Sequence, residues 1–453
     1  MGRDAHGFPF RPVLEWRVMI HVCQRWRYII LESPLQLDLQ LLCTHGTPVR
    51  KNLCCWPPIP LIIDYYTYWD ADDSKGEGVT PGHEDDVMAA LEHPDRVRYV
   101  GISVTSSLLG KMAEAMQKPF SILTHLWLSS KDGNVPVLPE TFLGGSAPLL
   151  RVVHLEGIPF PALPTLLLST TDLVELQLLN IPKSGYVSPD AMVAGLSALV
   201  RLEILSIGFQ SSSSFPDPRP QPPCTRLIFP SLSTFTFRGV SGYLEYILVQ
   251  IDTPLLKNLT IVYFNEFPPF YINQLSDFTR RTASLNLHRF KHARVEFGKS
   301  YVSASLYEGY HAVPEFLECH FVLQISCQWL DWQILHMTHV FDQCSAVLSQ
   351  VDDVFIDTYD LRPGWRADEY VEPSDWRELL LTFRAVRILR VSKQLTTHVI
   401  LALEDSTTGE KAADILPALQ TLYLGNQPEA SVEQCIGTRK VTSYPENDSV
   451  PQE

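Results

Sequence analysis

The chain has 453 residues, 45% of them hydrophobic and 19% charged, and a formal net charge of −15. That composition excludes a mainly disordered chain, and the acidic balance sets the surface against phosphate backbones and anionic lipid, so no nucleic acid and no membrane is expected among its partners. Nine irregularly spaced cysteines without a C-x-x-C pair argue against a disulfide framework.

No stretch has the ~20 apolar residues of a membrane helix, and Met1 to Pro12 lacks the apolar core of a secretory signal. A cytoplasmic or nuclear location is expected. Residues Trp16 to Leu31 (WRVMIHVCQRWRYIIL) predict a helix. Val18, Val22, Trp26, Ile29 and Ile30 fall on one face at helical spacing, which places Trp26 in a packed face. Ser33-Pro34 then stops the helix. Residues 41–96 connect this segment to the next and include an acidic stretch, Asp70 to Asp86 (DADDSKGEGVTPGHEDD), read as a loop.

From there a short apolar motif, L-x-x-L-x-L, recurs. Its copies begin at Val97, Leu123, Leu150, Leu173, Leu202, Leu232 and Leu256, and again near the C-terminus at Val351, Val386 and Leu419. The first seven starts are 26, 27, 23, 29, 30 and 24 residues apart, a period typical of leucine-rich repeats. Each copy reads as a strand with one buried face. The first apolar residue anchors the turn into the strand, and the next two, two residues apart, point to the same side. No single unit can bury that face alone, whereas stacked units bury it together. Several copies carry a proline just ahead of the strand, as in Ala147-Pro148-Leu149-Leu150 and Thr253-Pro254-Leu255-Leu256. There it ends the preceding helix and favours an extended lead-in. Runs such as Ala191 to Leu196 and Gly242 to Ile251 suit helices between strands.

The expected fold is α/β, an irregular leucine-rich-repeat solenoid with parallel strands on the concave side and helices on the convex side. An ordinary parallel α/β domain is the alternative. The array spans 97–288. Residues 289–350 break the period, with short strands expected around Val295, Tyr301 to Leu306 and Phe321 to Cys327. C-terminal repeats follow over 351–430, and a polar tail over 431–453. Gln210 to Cys224 (QSSSSFPDPRPQPPC) reads as an exposed insertion. Side chains between the buried strand positions face the concave surface, the side solenoids use for partners. Those residues are His125 and Trp127, Val152 and His154, Glu175 and Gln177, Ile204 and Ser206, Thr234 and Thr236, and Asn258 and Thr260, with Arg390 and Tyr423 in the C-terminal copies.

Within the N-terminal segment, Val22-Cys23-Gln24-Arg25-Trp26-Arg27-Tyr28-Ile29 resembles the V-C-[KR]-x-W-R-x-[ILVA] end of the F-box motif. Together with the repeats, the chain is similar to large fungal F-box-like leucine-rich-repeat proteins. The family's opening L-P-x-E-[IL] stretch has no match in Met1 to Glu15, where Phe8-Pro9-Phe10-Arg11-Pro12 stands instead, so residues 1–40 hold the C-terminal half of the motif as a short helical segment. The resemblance implies a substrate-recognition subunit of an SCF-type cullin-RING ubiquitin ligase. In such a subunit Val22, Cys23, Trp26 and Arg27 would face the ligase adaptor subunit and the repeats would hold a protein substrate. A repeat protein-interaction module with no ligase role is the alternative. The chain contains no G-x-x-x-x-G-K-[ST] or G-x-G-x-x-G loop, no G-x-S-x-G elbow and no H-E-x-x-H. Cys319, His320 and Cys327 match no standard zinc spacing. No enzymatic activity, cofactor or metal is therefore expected.

Overall fold

In every copy of the motif the three apolar positions are buried, from Val97, Val100 and Ile102 to Leu419, Leu422 and Leu424. The first of the three also closes a turn. Its N–H reaches the carbonyl three residues back at Leu123, Leu150, Leu173, Leu202, Leu256, Val386 and Leu419, at 3.1–3.4 Å. Where a proline precedes the strand (Pro148, Pro254, Pro417) it occupies the second position of this turn, for which its fixed φ is suited. It is thus a turn former here; at Pro148 and Pro254 it does not terminate an α-helix as its place in the sequence suggested, whereas at Pro417 the turn follows directly on a helix over Ala412–Ile415. The residue after the turn then hydrogen-bonds to its counterpart one copy earlier. Thr124 N donates to Arg98 O, Arg151 N to Thr124 O and Val174 N to Arg151 O, at 2.8–2.9 Å.

The computed structural model describes residues 20–32, 40–44, 49–55, 58–66, 82–130, 132, 137–211, 226–264, 272–307, 320–344, 350–358, 371–404, 412–425 and 440–444. Met1 to Met19, Ser33 to Leu39, Asp70 to Pro81, most of the Gln210–Cys224 insertion, Cys319 and most of the tail lie outside the described residues. No helix among the described residues is long and apolar enough to cross a membrane. The chain divides into two units, Met1–Ile204 and Leu205–Glu453, so the boundary falls inside the 97–288 span, at the start of a strand.

The first unit is α/β. Its strands are β1 (Leu41–Cys43), β2 (Leu61–Tyr66), β3 (Val97–Val104), β4 (His125–Ser130), β5 (Val152–Glu156) and β6 (Glu175–Ile181). They pair in sequence order and all in parallel. Its helices are α1 (Gln24–Glu32), α2 (Val49–Cys55), α3 (Gly82–Leu91), α4 (Ser106–Ala115), α5 (Leu163–Leu167) and α6 (Pro189–Leu196). The α6 helix starts where the sequence signals it. Ser188 accepts from Ala191 N at 3.3 Å and Pro189 takes the first helical position. Gly195 lets α6 lie close on α5, because a Cβ there would stand 2.9 Å from Pro164 Cα. Two expectations are corrected. His83 to Asp86, read as the end of a loop, lies in the first turns of α3, where Glu84 and Asp85 complement the helix dipole. Of the helix predicted over Trp16 to Leu31, Trp16 to Met19 lie outside the described residues, Ile20 to Val22 form a turn, and the helix runs over Gln24–Glu32.

The second unit holds β7 (Ile204–Phe209), the two-residue strands β8 (Leu227–Ile228) and β10 (Ile251–Asp252), which pair with each other, β9 (Thr234–Gly239) and β11 (Asn258–Tyr263). After these come β12 (His292–Phe297), β13 (Tyr301–Tyr307), β14 (Phe321–Ser326), β15 (Asp353–Thr358), β16 (Ile388–Val391), β17 (Thr421–Gly425) and β18 (Lys440–Tyr444). The order across its main sheet is β7-β9-β11-β14-β13-β12-β15-β16-β17-β18. Residues 289–350, where the period fails, therefore supply three strands of this sheet in reverse order. β14 continues in parallel from β11, β13 is antiparallel to both neighbours, and β12 resumes parallel pairing with β15. The helices are α7 (Ser241–Gln250), α8 (Asn273–Arg281), α9 (Leu330–Gln343), α10 (Pro373–Leu381), α11 (Thr396–Glu404) and α12 (Ala412–Ile415).

Two of these helices are tied at both ends. The buried Glu245 carboxylate of α7 accepts from Gln274 N (2.6 Å) and Leu275 N (3.0 Å) at the start of α8. Arg281, at the end of α8, donates to the carbonyls of Leu248 and Ile251 and to Asp252 Oδ1, the last at 3.0 Å. Orphan donors of one helix and orphan acceptors near the end of the other are thus satisfied together.

Candidate interaction surface

Strand pleating puts alternate side chains on opposite faces. In β4 and β5 the burial alternates half-buried, buried, half-buried, buried over His125 to Leu128 and Val152 to Leu155. Parallel register then carries the half-buried positions into lanes running across the strands. One lane of the first unit is Tyr99, His125, Val152 and Glu175. The next is Asp64, Gly101, Trp127, His154 and Gln177. A third contains Ser103 and Ser129, both buried, and the half-buried Glu156.

Five of the residues singled out from the sequence (His125, Trp127, His154, Glu175 and Gln177) therefore meet on one half-exposed sheet face. The Trp127 and His154 rings lie 4.4 Å apart, and those of Tyr99 and His125 5.9 Å apart. Burial, with Arg151 and Arg98 nearby, lowers the pKa of His125 to about 4, so its ring is neutral at neutral pH. Its Nδ1 lies 2.9 Å from Thr124 Oγ1. Gln177 donates to the Glu175 carboxylate. Ser129 Oγ and Asn180 Nδ2 donate to Glu156 at 3.2 and 3.1 Å. Asn180 reaches it from a left-handed backbone conformation, φ 51°, which asparagine tolerates. Tyr99, Asp64 and Glu156 were missed in the sequence, although the rule that found Trp127 also selects Tyr99; Glu156 lies one residue past the last buried position of its copy.

In the second unit Thr236 and Thr260 stand side by side on β9 and β11, both half-buried, beside the Thr234–Asn258 pair. Ser206 is corrected. It is buried, as are both its neighbours in β7, because a serine side chain is too short to rise above its surroundings.

Further along the same unit lies a lane of a different kind, Arg294, Phe355, Arg390 and Tyr423 in register across β12, β15, β16 and β17. Arg294 lies over the Phe355 ring at 5.6 Å and Arg390 over Tyr423 at 4.9 Å. Arg390 forks onto Asp353 at 2.8 and 3.1 Å, with His292 3.3 Å from the same carboxylate. Arg294 binds Asp357 at 2.6 Å and Glu296 at 3.2 Å, and Tyr301 donates to Glu296 at 2.6 Å. Burial raises the pKa of Asp357, against the opposing pull of Arg294. Of this cluster the sequence rule had picked out Arg390 and Tyr423. Among the described residues no three histidine, cysteine or carboxylate side chains form a group that could hold a metal ion.

The F-box-like residues stand apart from both faces. Val22 lies in the turn and Cys23 just before α1, with Trp26 and Arg27 in its first turn. All four are exposed. Trp26, expected in a packed face, is 49% exposed. Ile30 is the buried residue of α1, while Val22, Tyr28 and Ile29 are exposed with Trp26. The helical spacing was read correctly from Trp26 on, but Val22 precedes the helix, and among the described residues of the expected face Ile30 alone is buried. No protein-family model matches this chain, and no curated protein matches it.

Proposed function

We propose that the chain is a non-catalytic leucine-rich-repeat protein of the F-box type, a substrate-recognition subunit of an SCF-type cullin-RING ubiquitin ligase. Its repeats would stack as a solenoid and hold a protein substrate on the lanes of half-exposed side chains. The observation that carries the ligase reading is the exposed apolar segment around α1. Val22, Trp26, Tyr28 and Ile29 stand in water within the stretch that resembles the F-box, and a cluster of large exposed apolar side chains is the signature of a surface that is covered in a complex. The aromatic and imidazole rings in the β3–β6 lanes support the second half of the reading, since tryptophan and tyrosine are enriched where interfaces concentrate their binding energy.

A repeat-based interaction module without a ligase role is the second reading. It is favoured by Phe8-Pro9-Phe10-Arg11-Pro12, which stands where the family's opening stretch would be. A pull-down of the purified chain on the ligase adaptor subunit separates the two. Binding that Trp26→Ala abolishes, with the variant still folded by circular dichroism, is the expected result. A folded wild type that ignores the adaptor would discard the ligase role and leave the interaction module.

A further inference from the structure

We infer that Arg25 is the central contact of the α1 surface, and that the partner meets it with a carboxylate set among apolar side chains. The inference rests on the reading of α1 as a surface covered in a complex. It adds a residue that the F-box resemblance does not assign, and it names the chemistry on the partner's side. Three observations carry it.

The first is the geometry of the helix. At 3.6 residues per turn, side chains three and four positions apart are neighbours. Within Gln24–Glu32, Arg25 therefore neighbours Tyr28 and Ile29, and Trp26 neighbours Ile29. Tyr28, Ile29 and Trp26 are 67%, 50% and 49% exposed, and Arg25 is exposed with them. The buried Ile30 lies on the other side of Trp26, so Arg25 and Tyr28 point away from the core. The exposed side of α1 is thus a cation bordered by large apolar side chains.

The second is the contrast between two arginines. Arg27, which the resemblance assigns to the adaptor, projects from the side of the helix opposite Ile29. Its Nε donates to Ile20 O at 3.1 Å, which fastens the turn leading into the helix. The Arg25 guanidinium has neither an ion pair nor a hydrogen-bond acceptor among the described residues. Glu32 shares its side of the helix but stands two turns away, about 10 Å along the axis, too far for an ion pair.

The third is the cost of covering the patch. A partner that buries Trp26 and Ile29 also takes Arg25 out of water, and a charge so stripped is strongly unfavourable unless it is paired. A carboxylate matches the guanidinium fork with two parallel bonds. A wholly apolar partner surface is rejected by the same charge. An anionic lipid surface would supply phosphate, but Glu32 beside the patch and the chain's net charge of −15 oppose it.

The test is a titration of the purified full-length chain and its variants with the purified ligase adaptor subunit, at low and at high salt. Wild-type binding should weaken as salt is raised. Arg25→Gln should lose at least about thirtyfold in affinity, together with most of that salt dependence. Arg25→Lys, which keeps the charge without the fork, should fall in between, and Arg27→Gln should lose less than Arg25→Gln. Circular dichroism checks that each variant is folded. Unchanged affinity and salt dependence in Arg25→Gln, or a larger loss in Arg27→Gln, would overturn this inference and leave the ligase reading standing. A folded wild type that ignores the adaptor would overturn both, as would binding to vesicles of anionic phospholipid in its place.

Discussion

The two units build lanes on their sheet faces by the same register and fill them oppositely. Around Trp127 the first unit presents rings and carboxylates, the indole resting on the His154 ring and the Glu156 carboxylate held by the neutral donors Ser129 and Asn180. Around Arg390 the second unit presents both signs and closes them on each other, with Arg390 forked on Asp353 and Arg294 shared between Asp357 and Glu296. The same geometry thus makes a lane built mainly of rings in one place and a lane closed by ion pairs in the other. A charge paired within the chain is structural, and its removal is felt as lost stability.

The sharpest way to break this comparison is to unpair the second unit. Asp353 is 8% and Arg390 16% exposed at the side chain, so Arg390→Ala strands a buried carboxylate. It should lower unfolding free energy by about 3 kcal/mol. Combining Arg390→Met with Asp353→Asn should recover most of that loss, because both charges then leave together. Denaturant titration followed by circular dichroism measures both variants. A single mutant as stable as the wild type would show the lane to be ornamental and would remove the contrast between the units.

Acid and base should act on the two units with opposite sign through two named groups. Burial raises the pKa of Glu245 from 4.5 to about 7, despite the two backbone donors at the start of α8. A raised carboxyl favours folding while protonated. Its contribution is complete below 4.5 and is lost as pH climbs through 7. His125 goes the other way, from 6.5 down to about 4. Its contribution is complete above 6.5 and is lost as pH falls toward 4. The buried His336 of the second unit shares the sign of His125, so the comparison is made on variants. Glu245→Gln should flatten the decline in stability between pH 4.5 and 7, and His125→Gln the rise over the acid range. Identical pH profiles for wild type and either variant would remove that group from the account.

Much of the fold was legible because the repeat motif states its own burial. Leu126 and Leu128, or Leu389 and Val391, are two apart and apolar in every copy, and each goes inward. The in-between residues followed from the same alternation, which is why Trp127, His154, Arg390 and Tyr423 could be named from the sequence. The order of β12 to β14 could not. HARVEF, YVSASLY and FVLQIS announce three strands by their period of two, but nothing in that period says which neighbour each will pair with or that β13 runs antiparallel. Glu245 was hidden for a related reason. Its role depends on backbone donors 29 and 30 residues away, beyond any local pattern. Ser206 failed because alternation predicts a face and says nothing of how deep a short side chain sits in it.

A smaller effect sharpens the first unit. Trp127→Ala should cost about 1 kcal/mol, the worth of an aromatic pair beyond simple burial, because the indole is half-buried and rests on His154. That is a fraction of the loss expected at Arg390, whereas the loss of affinity for a partner on this face should be large. A loss of several kcal/mol at Trp127 would make it a core residue and weaken the case for a receptive surface.

The smallest effect belongs to α1. A tryptophan in a core costs about 3–5 kcal/mol on truncation, and the helical spacing of Val22, Trp26 and Ile29 argued for such a core. Trp26 is instead 49% exposed with its backbone N–H directed at Cys23 Sγ, 3.5 Å away. Trp26→Ala should therefore change stability by no more than about 0.5 kcal/mol, as for other surface positions, with Ile30→Ala, whose side chain is buried, the costlier change. If Trp26 proves the costlier of the two, the segment packs in solution against something on its own chain. The apolar cluster would then belong to the fold and would no longer be a surface awaiting a partner.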